Sequence, residues 1–278
     1  MKHPQLYRGA SMALQYGFLL IAALMMVFPL VWMLLVSLKV HLQSYTSLQQ
    51  MLLSPWTISN YMDIFLADTF GVYMANSFIV AISITLGNIV FCLMCGYVLA
   101  RKIFPGNQLV LMSVLIVMMI PPYVVMIPLY RMMTALQWIN TYQALIVPWL
   151  VTPFGVFLMR QYILSLPSDI EEAARIDGAS EWYLVFRIVM PLCKPGIVVL
   201  GLYVFLASWN SFLFPFILAN DTAHRTLPVG LAAFHNKHTI DWAHLMAGAS
   251  ISALPVIGIF IAFHKQIIQG MTAGALKE

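Results

Sequence analysis

The chain has 278 residues, of which 62% are hydrophobic and only 9% charged, against about a quarter charged in an ordinary soluble domain. That composition excludes a soluble enzyme, a disordered chain and, with only three cysteines, a secreted disulfide scaffold. The formal net charge of +4 calls for no nucleic-acid partner, because a bias of cations toward one side of a membrane accounts for it.

Charge-free runs longer than the roughly 20 residues that cross a bilayer as a helix recur at 9–38, 40–62, 69–100, 103–130, 132–159, 195–220 and 242–264. The second carries His41, Gln43, Ser44, Tyr45, Thr46, Ser47, Gln49, Gln50, Ser54 and Pro55 and is too polar and turn-prone for hydrocarbon. Six spans remain, predicted at 13–36, 74–99, 109–129, 142–162, 196–218 and 245–263. The expected architecture is all-α: one polytopic transmembrane domain over residues 1–278, with a long loop at 163–195. The first stretch is long and lacks a small-residue cleavage site, so it reads as a retained helix and not a signal peptide.

Six spans put both termini on one side. With the N-terminus inside, Lys2, Arg8, Arg101, Lys102, Arg160, Arg175, Arg187, Lys194, Lys265 and Lys277 are cytoplasmic, ten of the fourteen cations. Lys39, Arg131, Arg225 and Lys237 stay outside. Short loops rich in Lys and Arg stay cytoplasmic, which predicts cytoplasmic termini in a multi-pass membrane protein.

Between the fourth and fifth spans lie Asp169, Glu171, Glu172, Asp177 and Glu181, half of the ten acids within thirteen residues, interleaved with Arg175 and followed by Arg187. Ser168 and Glu171 have the spacing of a capping box. A short helix is predicted from Ile170 to Ile176, with Gly178 supplying the left-handed residue of a C-terminal cap. Ser180 is placed to cap a second helix, Glu181–Val189, that Pro191 ends. A connector between antiparallel helices needs only a few residues. An amphipathic helix lying on the membrane is the competing reading, but such a helix carries Lys and Arg on its polar face. The acidic first turns favour a protein partner.

Glu172-Ala173-Ala174, three residues, Gly178, nine residues, Ile188, one residue and Met190-Pro191 resemble the EAA loop of the membrane subunits of binding-protein-dependent ABC importers. Met190 replaces the family's leucine, a nearly volume-conserving change. The stretch from Leu166 to Ser180, Ser37-Leu38-Lys39, Asn60-Tyr61, Ser208-Trp209-Asn210, Leu227-Pro228-Val229-Gly230, Asp241-Trp242 and the tail from Gly270 to Lys277 are similar to the carbohydrate-importing branch. The short six-helix form resembles its maltose-type second permease.

The resemblance implies a type I importer permease fold and a coupling helix, with Glu171, Glu172, Ala173, Ala174, Asp177 and Gly178, that docks on a cytoplasmic ATPase. It implies a second permease subunit, two ATP-binding subunits and an extracytoplasmic solute-binding protein as partners within the lipid bilayer. It also implies that the tail, with Gly270, Gly274 and Lys277, reaches the ATPases. Small Ala173 and Ala174 allow close approach, Ile170 and Ile176 can fill apolar pockets, and Glu171, Glu172 and Asp177 can pair with cations. The chain has no Gly-x-x-x-x-Gly-Lys-Ser/Thr loop, so ATP and Mg are expected on the partner ATPases. The chain is read as a transporter subunit with no enzyme activity, cofactor or metal of its own.

Prolines 121, 122, 148, 153, 215 and 255 fall within the predicted spans, where kinks or breaks free backbone groups. No Asp, Glu, Lys or Arg lies at a midplane position, which disfavours an ion-coupled secondary transporter. That class also predicts an internal repeat, and none is visible. Ser208-Trp209-Asn210 is the polar cluster in the fifth span, suited either to the hydroxyls and apolar face of a sugar or to interhelical hydrogen bonding. A sugar or oligosaccharide is the expected substrate, with a glycerol-phosphate or polyol as the alternative. Cys92-x-x-Cys95 sits within the second span and reads as apolar packing. His235, His238, Asp241 and His244 have spacings that zinc could use but read as a solvated loop, as do His224 and Arg225.

Overall fold

The computed structural model describes residues 4–40, 47–66, 68–232 and 241–275. These form fifteen α-helices among the described residues, joined by turns and two short 3₁₀ segments, and the only β pairing described is an isolated bridge between Lys39 and Trp56. The chain divides into two compact units, 1–68 with 231–254, and 69–230 with 255–278.

The smaller unit holds α1 (Pro4–Ser37), α2 (Leu48–Leu53), α3 (Ser59–Leu66) and the first part of a helix that begins at Trp242. From Leu14 to Leu34, α1 is apolar and largely exposed, as suits a helix whose solvent is lipid. Its end is tied by a polar knot. Asn60 Nδ2 donates to the carbonyls of Ser37 (2.8 Å) and Lys39 (3.1 Å), and Ser37 Oγ lies 2.7 Å from Tyr61 Oη, itself 2.8 Å from Ser250 Oγ. Carbonyls at a helix end need such partners. Lys39 is fully buried: its Nζ donates to the carbonyls of Leu52 (3.1 Å) and Ser54 (2.8 Å) and sits 3.8 Å from the Trp56 ring centroid. The Ser37-Leu38-Lys39 and Asn60-Tyr61 pairs seen in the sequence thus meet in one structure.

The larger unit begins with α4 (Asp68–Arg101, entering the unit at Thr69) and contains α5 (Asn107–Met119), α6 (Met126–Ala135), α7 (Tyr142–Ile146), α8 (Pro153–Leu164), α9 (Asp169–Ile176), α10 (Glu181–Tyr183), α11 (Met190–Leu192), α12 (Lys194–Trp209), α13 (Leu213–Leu218) and α14 (Leu227–Ala232). Helix α15 (Trp242–Ala275) gives residues 255 onward to it. Its core joins Leu93 and Tyr97 of α4, Met159 and Ile163 of α8 and Leu200 and Val204 of α12.

Among the described residues, four helical stretches are long and apolar enough to cross a membrane, and up to six are if each bent pair counts as one span. The predicted third span is one of the bent pairs: α5 and the Pro122–Ala135 stretch meet at 95° around Pro121-Pro122, because proline removes a helical hydrogen bond and clashes with the preceding turn. The fourth is interrupted between the 3₁₀ turn Val147–Trp149 and α8. There the buried Asn88 of α4 donates to Trp149 O (3.0 Å), and its Oδ1 accepts from Thr152 Oγ1 (3.2 Å) and Cys92 Sγ (3.1 Å). A Cβ on Gly155 would lie 2.7 Å from both Asn88 Oδ1 and Cys92 Sγ, so glycine is what permits this approach. The fifth also breaks, between α12 and α13 at residues 210–212.

Candidate functional site

The cytoplasmic loop predicted at 163–195 contains α9, α10 and α11. The amides of Glu171 and Glu172 bond to the Ser168 carbonyl (2.9 and 3.0 Å), and the acids of the first turn oppose the positive end of the helix dipole. The predicted capping box does not form. Ser168 has helical backbone angles and makes no side-chain cap, while Glu171 turns inward, 5% exposed, with its Oε1 2.7 Å from Arg101 Nε. A largely buried guanidinium needs a carboxylate more than the helix needs a neutral cap, because the charge-assisted bond is the stronger one. Glu171, one of the residues expected at the docking face, is thus buried against Arg101.

The end of α9 follows its sequence. Gly178 has φ of +85°, its amide bonds to Arg175 O (3.0 Å), and the Ala179 amide bonds to Ala174 O (2.9 Å), a complete Schellman motif. Ser180 then caps α10, accepting from the Tyr183 amide at 3.3 Å. The next helix does not stop at Pro191. A π-helical turn, Leu184–Val189, leads into α11, which contains Pro191; a widened turn relieves the clash a proline makes with the carbonyl four residues back. The direction changes at Cys193, where Glu181–Leu192 and α12 meet at 82°.

What the loop presents outward is selective. Glu172, Ala173 and Asp177 are exposed, Ile170 is partly so and Ile176 is 87% exposed. Ala174, Asp177, Gly178, Ala179, Ser180, Tyr183 and Ile188 line an open groove of about 620 Å³. Within the loop's surface, Arg175 Nη2 and Lys102 Nζ lie 3.3 and 2.6 Å from Glu181 Oε1, all three side chains partly exposed. The hydrogen bond from Lys102 holds the Glu181 carboxyl below the usual carboxylate range. Sequence reasoning treated Arg101 and Lys102 only as topology charges and missed that they are the loop's anchors; their place at the end of a span, beside a loop rich in acids, was the available signal.

The three residues of the polar triplet in the fifth span have different surroundings: Trp209 is buried, Ser208 partly buried and Asn210 exposed. The triplet sits at a helix end and not mid-helix, with Asn210 as the C-cap of α12 and its Nδ2 donating to Leu206 O (2.9 Å). Trp209 is 1% exposed, its ring 4.7 Å from Phe78 and 5.7 Å from Phe205 between centroids. The Ser208 hydroxyl is buried and finds no partner among the described residues, so the interhelical bond expected of it does not form. A large aromatic lowers its free energy more by filling a core than by lining a wet path.

Cys92 is buried and Cys95 exposed, both as free thiols. His224 pairs with Asp221 at 2.9 Å, Arg225 donates to Asn220 O at 2.7 Å, and His244 lies 2.6 Å from Asp241 and 3.5 Å from Asp63. His235, His238 and Lys277 lie outside the described residues; Gly270 and Gly274 fall in α15. Among the described residues, no three His, Cys, Asp or Glu side chains gather as metal ligands.

Helices throughout the described residues, several of them long and apolar enough to cross a membrane, define the class of a polytopic membrane protein. The chain belongs to the family described as binding-protein-dependent transport system inner membrane component, whose pattern matches residues 92–272. It is 35% identical over 270 residues to an arabinooligosaccharides transport system permease protein of Halalkalibacterium halodurans, covering 96% of both chains. It is 34% identical over 264 residues to a trehalose/maltose transport system permease protein of Thermococcus litoralis, covering 93% of this chain and 94% of that one. The fold matches a solved bacterial ABC transporter involved in the import of the acidic polysaccharide alginate, with a TM-score of 0.83 at 20% identity over 95% of this chain and 99% of that one.

Proposed function

We propose that this chain is the permease subunit through which a sugar or oligosaccharide crosses the inner membrane, driven by ATP hydrolysis on separate subunits. The carbohydrate assignment is supported by the relatives, whose names specify arabinooligosaccharides and trehalose or maltose. The coupling assignment is carried by one observation: α9 and its C-cap Asp177 keep Glu172, Ala173, Ile176 and Asp177 exposed while Glu171 is buried against Arg101 and the half-exposed Arg175 is paired with Glu181. The exposed surface then combines the acids Glu172 and Asp177 with the apolar Ile176 and small Ala173, beside an Arg175 whose charge is already paired, and is complementary to a basic cleft with an apolar floor.

In this reading the single transmembrane domain works with a second permease, two ATP-binding subunits that hold ATP and Mg, and an extracytoplasmic solute-binding protein. The loop 163–195 is the coupling element, with Glu172, Ala173, Ala174, Asp177 and Gly178 at the contact. Of the polar triplet, Asn210 is exposed beside the break in the fifth span and is the residue assigned to the pathway.

The test is reconstitution of the complex in proteoliposomes with the cognate solute-binding protein. ATP-dependent uptake of the oligosaccharide that this protein binds by calorimetry is the expected result. Binding of a glycerol-phosphate or polyol by the receptor would move the substrate class, and uptake without any ATP-binding subunit would overturn the reading.

A further inference from the structure

The loop is fastened, on both sides of α9, to one place: the cytoplasmic end of α4. At the start of the helix, Arg101 donates from Nη2 to Leu166 O (2.8 Å), just ahead of α9, and from Nε to Glu171 Oε1 (2.7 Å) in its first turn. The two charged side chains are only 15% and 6% exposed. Past the helix, Tyr97 Oη donates to Glu181 Oε2 (3.3 Å) and accepts from Arg175 Nη2 (3.0 Å), and Lys102 Nζ donates to Glu181 Oε1 (2.6 Å). Tyr97, Arg101 and Lys102 lie within about a turn and a half of one another, so two segments of the loop converge on a single helix end. Arg160, near the end of α8, adds a bond to Leu99 O (3.3 Å).

The shape of α4 gives this attachment its meaning. It runs through residues 68–101 without a proline or a break, whereas the third, fourth and fifth spans are each interrupted. The chain's own continuation from the loop into α12 passes a π-helical turn and the 82° bend at Cys193. A push on α9 passed along the backbone meets those compliant joints, while a push passed through Arg101 enters an uninterrupted rod. Charge-assisted hydrogen bonds at 2.6–2.8 Å are the stiffest non-covalent links available for this.

We propose that Arg101, supported by Tyr97 and Lys102, is a positioning residue that joins α9 and the cytoplasmic end of α4 into one body, so that displacement of α9 is delivered directly to the second membrane span. This rests on the reading of α9 as the docking helix. Releasing the clamp leaves docking and hydrolysis in place but lets the loop absorb the stroke.

The readout is solute imported per ATP hydrolysed by the complete complex, measured beside co-purification of the ATP-binding subunits. Arg101→Glu and Glu171→Arg are each expected to lower that ratio about tenfold, the scale of coupling lost when one element of a transmitting network is broken, with co-purification retained. Combining the two restores the pair with reversed polarity and is expected to bring the ratio back near its native value. A combined variant no better than either single one, or a single variant with the native ratio, overturns the proposal. Should Arg101→Glu fail to accumulate in the membrane, the half-exposed pair Lys102→Glu with Glu181→Lys carries the same comparison. Glu172→Lys tests the docking reading alone: loss of co-purification or coupling supports it, and unchanged values sink it while the charge swap still reports on the clamp.

Discussion

Lys39 and Arg101 are both cations at the ends of long apolar helices, and they are held by opposite means. Lys39, at the end of α1, is enclosed by two carbonyls and the face of Trp56. Arg101, at the end of α4, is held by a carboxylate and one carbonyl. The first arrangement stays within a short reach of chain and fixes the course of residues 47–66. The second joins residues 70 apart in sequence and makes two elements depend on each other's charge. A neutral cage thus makes a local anchor, and an ion pair makes a linkage.

The sharpest way to break that contrast is to remove one cation at a time. Arg101→Ala strands the buried Glu171 carboxylate and is expected to cost about 3–5 kcal/mol, as loss of one partner of a buried pair does. Lys39→Met leaves two carbonyls short of a donor but strands no charge, and is expected to cost about 2 kcal/mol. Thermal unfolding of the purified protein in detergent ranks the two, and a larger loss for Lys39→Met would refute the distinction. Limited proteolysis should place the loosening at residues 47–66 in Lys39→Met and at 165–193 in Arg101→Ala.

Smaller changes sharpen the ion-held side. Gly178→Ala meets no atom within 4 Å but must keep φ near +85°, so it is expected to cost about 1–2 kcal/mol through backbone strain alone. Its effect on the coupling ratio should stay below that of Arg101→Glu. The smallest effect is that of acid. Because Glu181 is held below the usual carboxylate range, its contribution is complete above the unfolded value and is lost as pH falls through the folded one. Coupling measured across pH 5–8, which lies above the unperturbed Glu value of about 4.3, should therefore be flat with respect to this group; a midpoint inside that range would contradict the assignment.

What could be read from the residues was what depends on neighbours in sequence. The Gly178 cap and the Ser180 cap are local consequences of backbone geometry and both are present in the structure, whereas of the apolar stretches four are single membrane-length helices among the described residues and two are bent pairs. Glu171 shows where that logic ends. Its spacing from Ser168 satisfies a capping rule, yet a guanidinium arriving from position 101 offers a stronger bond, and no window of nearby residues contains that competitor. Trp209 and Ser208 meet the same limit: polar character within a span says that a partner is needed, not whether it is a substrate, a helix or an aromatic neighbour. The Ser37-Leu38-Lys39 and Asn60-Tyr61 pairs stood out as patterns before their bonds to each other were visible, because their joint purpose lies across 20-odd residues of chain.

Asn88 bears on how the protein is made. The break between Trp149 and Pro153 exposes a backbone carbonyl that hydrocarbon cannot satisfy, and the amide that satisfies it belongs to α4, some sixty residues nearer the N-terminus. During synthesis the donor is therefore already in the bilayer when the interrupted span emerges. The order of translation thus supplies the cure before the defect.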